Sequence, residues 1–322
     1  MVEFTPVNLI TGFLGSGKTT LLQRLLADPA LADTAVLINE LGEVGLDHHL
    51  LGRIDETMVL LQSGCLCCTI RGELSAAIKE LHSRRERGEV PAFRRLVVES
   101  TGLADPFPIL STVQADPVLR HHFRLGNVVT TIDAANGLGR PESLKQVAVA
   151  DRLVLTKTDL VPDTDALLDE VRRLNPDAPL WRVPEQTVGA AMLFDDRTRS
   201  ALQAVPAVAE SRHGSVQAFA LTFEGVLDWT RFGVWLTMLL NRHGKKVLRV
   251  KGILNVGGSA TPVAVHGVQH LVHPPIHMTA WPDADRRSRL VFIVDGLERA
   301  AIERSLGAFL SPPKRAKAAA VA

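Results

Sequence analysis

Residues 12–19 read Gly-Phe-Leu-Gly-Ser-Gly-Lys-Thr, and residues 65–68 read Cys-Leu-Cys-Cys. The first stretch has the spacing G-x-x-x-x-G-K-[ST] and directly follows the apolar run Val7–Ile10. Gly12, Gly15 and Gly17 let the backbone turn successive N–H groups toward phosphate oxygens, around Ser16, and the helix N-terminus that follows supplies more donors. At this spacing Lys18 reaches the β and γ phosphates and the Thr19 hydroxyl binds Mg²⁺.

The second stretch contains all three cysteines of the chain. Three cannot all pair, and the neighbours Cys67 and Cys68 make a poor disulfide because the bridge needs a particular Cα separation and side-chain direction. In a reducing compartment such a cluster points to metal or thiol chemistry. Thiolates at i, i+2 and i+3 converge where the backbone turns, and Gly64 favours a turn. Soft sulfur selects Zn²⁺ or Cu(I) over Mg²⁺. Two or three thiolates with a carboxylate or imidazole would complete a tetrahedral zinc site. Burial as three small hydrophobes, or a redox role, are the alternatives.

Two further strand ends carry chemistry. Thr156-Lys157-Thr158-Asp159 is one residue from the N-K-x-D signature of guanine-specific sites. The Asp159 carboxylate would accept from the guanine N1 and exocyclic amine while the aliphatic stem of Lys157 covers the base. Adenine offers no matching donor pair, and an unpaired buried carboxylate is costly. Thr156 stands where the usual Asn braces the loop, which weakens the expectation for nucleotide affinity. Glu99-Ser100-Thr101-Gly102 follows the strand Leu96–Val98, where an acid acts on Mg²⁺ directly or through water. Gly102 would let that loop approach the γ-phosphate.

The elements that must position these groups form a βαβ rhythm. VNLI, TAVLIN, RRLVVES, NVVTTID and DRLVLTK are β-branched, nearly continuous apolar runs separated by amphipathic segments, as in parallel strands buried on both faces. The predicted class is α/β: a P-loop parallel sheet with helices on both faces. Each run ends in a polar cluster, and ligands of open α/β sheets bind beyond the carboxyl ends of the strands. Glu40, Glu43 and Asp47, after the second strand, fall on the same rim as the phosphate loop. A Pro-rich stretch (Pro176, Pro179, Pro184, Pro206) breaks the rhythm before His213-Gly214. Residues 1–210 therefore read as the nucleotide domain and 211–310 as a smaller α+β domain; 311–322 read as a disordered tail.

The bulk properties of the 322-residue chain narrow its partners. Lys plus Arg number 36 and Asp plus Glu 35, so no global field holds a polyanion and nucleic acid is an unexpected partner. No apolar run approaches the ~18 residues of a membrane span. The N-terminus lacks the pattern of a signal peptide, which makes the cytoplasm the expected location.

GFLGSGKTT, INELGEVGLD, SGCLCCTIRGEL, VVESTGLADP and TKTDL, in this order, resemble the CobW-type GTPases, relatives of the HypB and UreG metal-insertion proteins. The resemblance is dense over the N-terminal half and looser over VQHLVHPP and SRLVFIVDGL. It implies GTP hydrolysis coupled to delivery of a metal to a client metalloprotein, zinc most often and cobalt in some members. It assigns Gly12, Gly15, Gly17, Lys18, Thr19 and Thr20 to phosphate and Mg²⁺, Glu99 to the acidic strand end, Lys157 and Asp159 to guanine, and Cys65, Cys67 and Cys68 to metal, with Glu40 and Glu43 assisting the thiolates. Catalysis would rest on Lys18, Thr19 and Glu99. The linker before His213 lacks the long His-rich run of some members. A small-molecule kinase, and a non-catalytic metal sensor regulated by nucleotide, are the alternatives.

Weaker signals lie in the C-terminal half. His266, His270, His273 and His277 crowd one region, with His266 and His270 expected on one strand face; solvated side chains are the plainer reading, as for His48-His49 and His121-His122. Trp229, Phe232 and Trp235, spaced three apart, predict the core stripe of a helix.

Overall fold

The computed structural model describes residues 4–41, 58–63, 69–195, 211–213 and 215–310, with side chains described over 4–38, 72–195 and 215–310. The chain divides into two compact units, Met1–Ala201 and Leu202–Ala322.

In the first unit the strands are β1 (Thr5–Gly12), β2 (Thr34–Leu41), β3 (Met58–Ser63), β4 (Arg95–Glu99), β5 (Phe123–Asp133), β6 (Arg152–Thr156) and β7 (Leu180–Arg182). They form one sheet in the order β3-β2-β4-β1-β5-β6-β7, and every pairing is parallel. The helices are α1 (Lys18–Leu26), α2 (Thr69–Glu86), α3 (Pro106–Ala115), α4 (Leu119–His122), α5 (Pro141–Val149), α6 (Asp165–Leu174) and α7 (Ala190–Phe194). The predicted α/β sheet with helices on both faces is therefore what the chain forms. Two edge strands, β3 and β7, extend the five predicted runs.

Apolar spacing explains which helices cover which face. Leu21, Leu22 and Leu25 of α1 and Leu193 and Phe194 of α7 share a core with Ile10, Val36, Ile38, Val97, Val129 and Val154. Glu99 sits beside Ile10 of β1 and Ile38 of β2 in register, so its position belongs to the face under α1. Helix α3 starts at Pro106, with Asp105 as N-cap accepting from Phe107 N–H at 2.9 Å, so proline fills a first-turn position that needs no donor.

The second unit contains β8 (Ser211–His213), β9 (Val216–Phe223), α8 (Trp229–His243), β10 (Val247–Leu254), β11 (Val263–Val268), β12 (Leu271–Val272), β13 (Ile276–His277), β14 (Ser288–Asp295) and α9 (Arg299–Leu310). Its sheet runs β12-β11-β10-β14-β9-β8, with β13 on β11, and its pairings are antiparallel. Helices α8 and α9 lay Phe232, Trp235, Leu239, Ile302 and Leu306 against Phe219, Val250, Val265 and Phe292. Trp235 Nε1–H donates to Ser305 Oγ at 3.0 Å. Phe232 and Trp235 are buried as their spacing predicts, whereas Trp229 is 40% exposed and stands at the margin of the stripe.

The histidine-rich run is not the single strand expected from its alternation. The chain reverses at Gln269, which adopts φ 49°, and His273 returns opposite His266, whose carbonyl accepts its N–H at 2.9 Å. The two imidazoles stack with centroids 4.4 Å apart, and His270 lies in the turn against Gly244 instead of sharing a strand face with His266. The expected tail, His48, His49 and residues 196–210 of the linker before His213 lie outside the described residues.

Candidate functional site

The rim at the carboxyl ends of β1, β4, β5 and β6 gathers most of the predicted residues. Between β1 and α1 the chain passes through Gly15 and Gly17 at φ 71° and 85°, left-handed values that suit glycine. Gly17 is the N-cap of α1, so the first N–H groups of that helix face the loop. Ser16 N–H donates to Phe13 O at 3.1 Å, closing the turn, and Ser16 Oγ lies 2.7 Å from Thr131 Oγ1 on β5.

Lys18 is 8% exposed, and its Nζ donates to the carbonyls of Gly12 (3.0 Å) and Phe13 (3.1 Å). The loop's own oxygens hold the ammonium where phosphate oxygens could replace them. Thr19 Oγ1 donates to Glu99 Oε1 at 2.6 Å, joining a hydroxyl at the start of α1 to an acid that is 3% exposed. Thr20 is exposed.

Gly102 allows the close approach expected of it, and what it rests on is the phosphate loop itself. A Cβ at this position would collide with the backbone nitrogen of Leu14, so the loop after β4 lies directly on the phosphate loop. The buried Gln146 of α5 holds it there, its Nε2 donating to Gly102 O at 3.1 Å and to Ala104 O at 3.2 Å. Neither Gln146 nor Thr131 carries a sequence signal, since each is one polar residue in an otherwise structural segment.

The base side of the rim is built around β6. Thr156 Oγ1 lies 2.9 Å from Ser16 O and 3.1 Å from Ile132 O. Lys157 adopts φ 58°, and its Nζ is 2.7 Å from Asp133 Oδ2. Burial opposes the Asp133 charge, but hydrogen bonds from Lys157, Asn136 and the Ala135 N–H outweigh it and keep the carboxyl below the usual range. Thr158 Oγ1 donates to Val183 O at 2.8 Å, tying the turn to the segment after β7. Asp159 is exposed at the edge of this turn. Asp133 closes a predicted strand as a polar end, and its partnership with Lys157 appears only when β5 and β6 pair.

The cysteine-centred expectation falls on residues that the structure does not describe: Cys65, Cys67, Cys68 and Glu43 lie outside them, and the side chain of Glu40 likewise. The flanking elements are described. Glu40 and Leu41 of β2 pair with Gln62 and Ser63 at the end of β3, and α2 begins at Thr69. In sequence the tetrapeptide lies between α2 and β3, whose end is on the rim that carries the phosphate loop. Three strand steps separate β3 from β1, about 14 Å across a sheet. Among the described residues, no group of three or more His, Cys, Asp and Glu could hold a metal ion.

A parallel sheet with a glycine-rich loop at its central strand, an acid bonded to the loop's threonine and a Thr-Lys-Thr-Asp turn two strands away define a P-loop GTPase. The appended antiparallel unit narrows the class. Residues 6–182 match the family described as CobW/HypB/UreG, nucleotide-binding domain, and residues 216–310 match the Cobalamin synthesis protein cobW C-terminal domain. The chain belongs to the CobW family of GTPases.

Zinc chaperone YjiA of Escherichia coli strain K12 is 31% identical over 297 residues, covering 89% of this chain and 93% of that one. Zinc chaperone CobW of Sinorhizobium sp is 26% identical over 352 residues, covering 95% and 97%. The crystal structure of Zn(II)-bound YjiA GTPase from E. coli superposes with a TM-score of 0.73 at 26% identity, covering 96% of this chain and 99% of that one. The small-molecule kinase alternative is not retained. Among the described residues no helix is long and apolar enough to cross a membrane.

Proposed function

We propose that this GTPase is a metallochaperone that binds a transition metal as cargo, zinc foremost, through Cys65, Cys67 and Cys68, and releases it to a client protein under nucleotide control. The observation that supports the reading is that β3, the strand preceding the cysteine tetrapeptide in sequence, ends beside β2 in the sheet whose β1 ends in the phosphate loop. The names of the zinc chaperone relatives support zinc as the cargo.

In this reading Gly12, Gly15, Ser16, Gly17, Lys18, Thr19 and Thr20 hold the phosphates, while Lys157 and Asp159 hold guanine. Gly102 brings the loop after β4 to the γ-phosphate. Thr19 and Glu99 present a hydroxyl and a carboxylate 2.6 Å apart, hard oxygen donors of the kind Mg²⁺ takes. They would hold that ion, which supplies charge neutralisation at the β and γ phosphates. In the proposed switch, residues 40–47, with Glu40 and Glu43, and residues 99–102 would answer to the γ-phosphate and pass its state to the thiolates. Metal affinity then depends on nucleotide, and linkage requires metal to shift GTP affinity by the same factor.

The test is zinc affinity measured with a non-hydrolysable GTP analogue and with GDP, for the wild-type chain and for a Cys65/Cys67/Cys68→Ser variant. The proposal expects affinity to differ about tenfold or more between nucleotides and to collapse in the variant while GTP still binds. Equal zinc affinity in both nucleotide states removes the switch. Undiminished zinc binding by the variant removes the cysteines.

A further inference from the structure

Thr101 lies in the loop between Glu99 and Gly102, is 9% exposed, and has an Oγ1 that is buried with no hydrogen-bond partner. The backbone that carries it is fixed on both sides. Ser100 N–H donates to Ile10 O at 3.0 Å and Ser100 Oγ to Thr11 Oγ1 at 2.9 Å. Beyond it, Gly102 rests on Leu14 with its carbonyl held by Gln146 at 3.1 Å, and Ala104 N–H donates to Thr101 O at 3.2 Å. The hydroxyl is therefore not lone because its surroundings are loose.

Its place on the rim follows from the residues on either side of it. Val97 belongs to the core beneath α1, and Glu99 turns to Thr19 on that same side. Ser100 turns to Thr11 of β1. Thr101 therefore sits between Ser100, bonded to Thr11 at the end of β1, and Gly102, which rests on Leu14 of the phosphate loop. A buried hydroxyl left unsatisfied forfeits about the worth of a hydrogen bond, and a native fold that tolerates one calls for an explanation. A valine of the same shape would avoid the loss.

We propose that Thr101 Oγ1 receives the attacking water of GTP hydrolysis. The hydroxyl accepts one hydrogen of the water and so aims an oxygen lone pair at the γ-phosphorus. The water oxygen forms its bond to phosphorus as the bond to the β–γ bridging oxygen breaks. The electron pair leaves with GDP, and the protons of the water end on inorganic phosphate and solvent. Threonine is too weak a base to take a proton near neutral pH, so its contribution is orientation. The Glu99 oxygen bonded to Thr19 is engaged with the cation-side hydroxyl, which separates the two tasks.

Thr101→Val and Thr101→Ser in the full chain test this, with turnover at saturating GTP and Mg²⁺, GDP affinity and thermal unfolding measured for each. Turnover of the valine variant should fall about 10- to 100-fold, with GDP affinity unchanged and thermal stability equal or higher. The serine variant should recover turnover to within about threefold of wild type, since it restores the hydroxyl. The assignment is overturned if the valine variant keeps most of its turnover, if its loss is matched by lower GDP affinity or stability, or if serine is as impaired as valine.

Discussion

Thr156 Oγ1 lies 2.9 Å from the carbonyl oxygen of Ser16 and 3.1 Å from that of Ile132, so one hydroxyl on β6 joins the phosphate loop to the strand beside it. This is the bracing contact for which an asparagine is usual at the position. The threonine achieves it with a shorter side chain, its hydroxyl lying within hydrogen-bond distance of both carbonyls.

Thr156→Val keeps the shape and removes the donor. A buried carbonyl that loses its partner costs about 1–3 kcal/mol, so affinity for both GTP and GDP should drop by about tenfold, while Thr156→Ser stays near wild type. Titration with a fluorescent guanine nucleotide measures this; unchanged affinity in the valine variant would mean the loop needs no brace.

Asp159 stands exposed on the turn after β6, where a base edge would meet it. Asp159→Asn exchanges an acceptor for a donor, which disfavours guanine and suits xanthine. GTP should weaken by about 100-fold and xanthosine triphosphate should gain. A competition assay in which the nucleotide preference does not move would take Asp159 out of base recognition.

The Asp133–Lys157 pair predicts a pH dependence with a definite sign. Asp133 is held below its ordinary value, so it stabilises the fold at pH above its unfolded value of about 4 and loses that contribution as pH falls through the lower, folded value. Lys157 is 36% exposed, which limits the pair to about 1 kcal/mol. Asp133→Asn should therefore be less stable near neutral pH, with the gap closing as pH falls below the ordinary carboxylate range. Urea unfolding across that range would contradict the idea by giving a constant gap.

Gly102→Ala drives a methyl group into the backbone of Leu14. Two rigid loops must then part, at about 1–3 kcal/mol, and GTP turnover should fall more than GDP affinity because GDP lacks the phosphate that, in the proposed reading, this loop faces. Equal losses in the two would assign Gly102 to folding alone.

The phosphate loop and the Thr-Lys-Thr-Asp turn were legible because their groups are contiguous, so spacing alone states the chemistry. Thr131, Asp133 and Gln146 were not: Thr131 meets Ser16 from 115 positions away, Asp133 meets Lys157 from 24 and Gln146 meets Gly102 from 44, and only the folded sheet brings each pair together. β3 and β7 escaped notice for a local reason, being short edge strands of six and three residues, the latter inside the Pro-rich stretch. The β11–β12 turn was hidden because its left-handed residue is Gln269, not glycine.

The place of β3 in the sheet has a mechanical consequence. Among the described residues it is the outermost strand, laddered to β2 on one side, and its loss would leave the remaining six strands continuous. Displacing β3 thus asks for the peeling of a single margin, with the floor beneath the phosphate loop left standing.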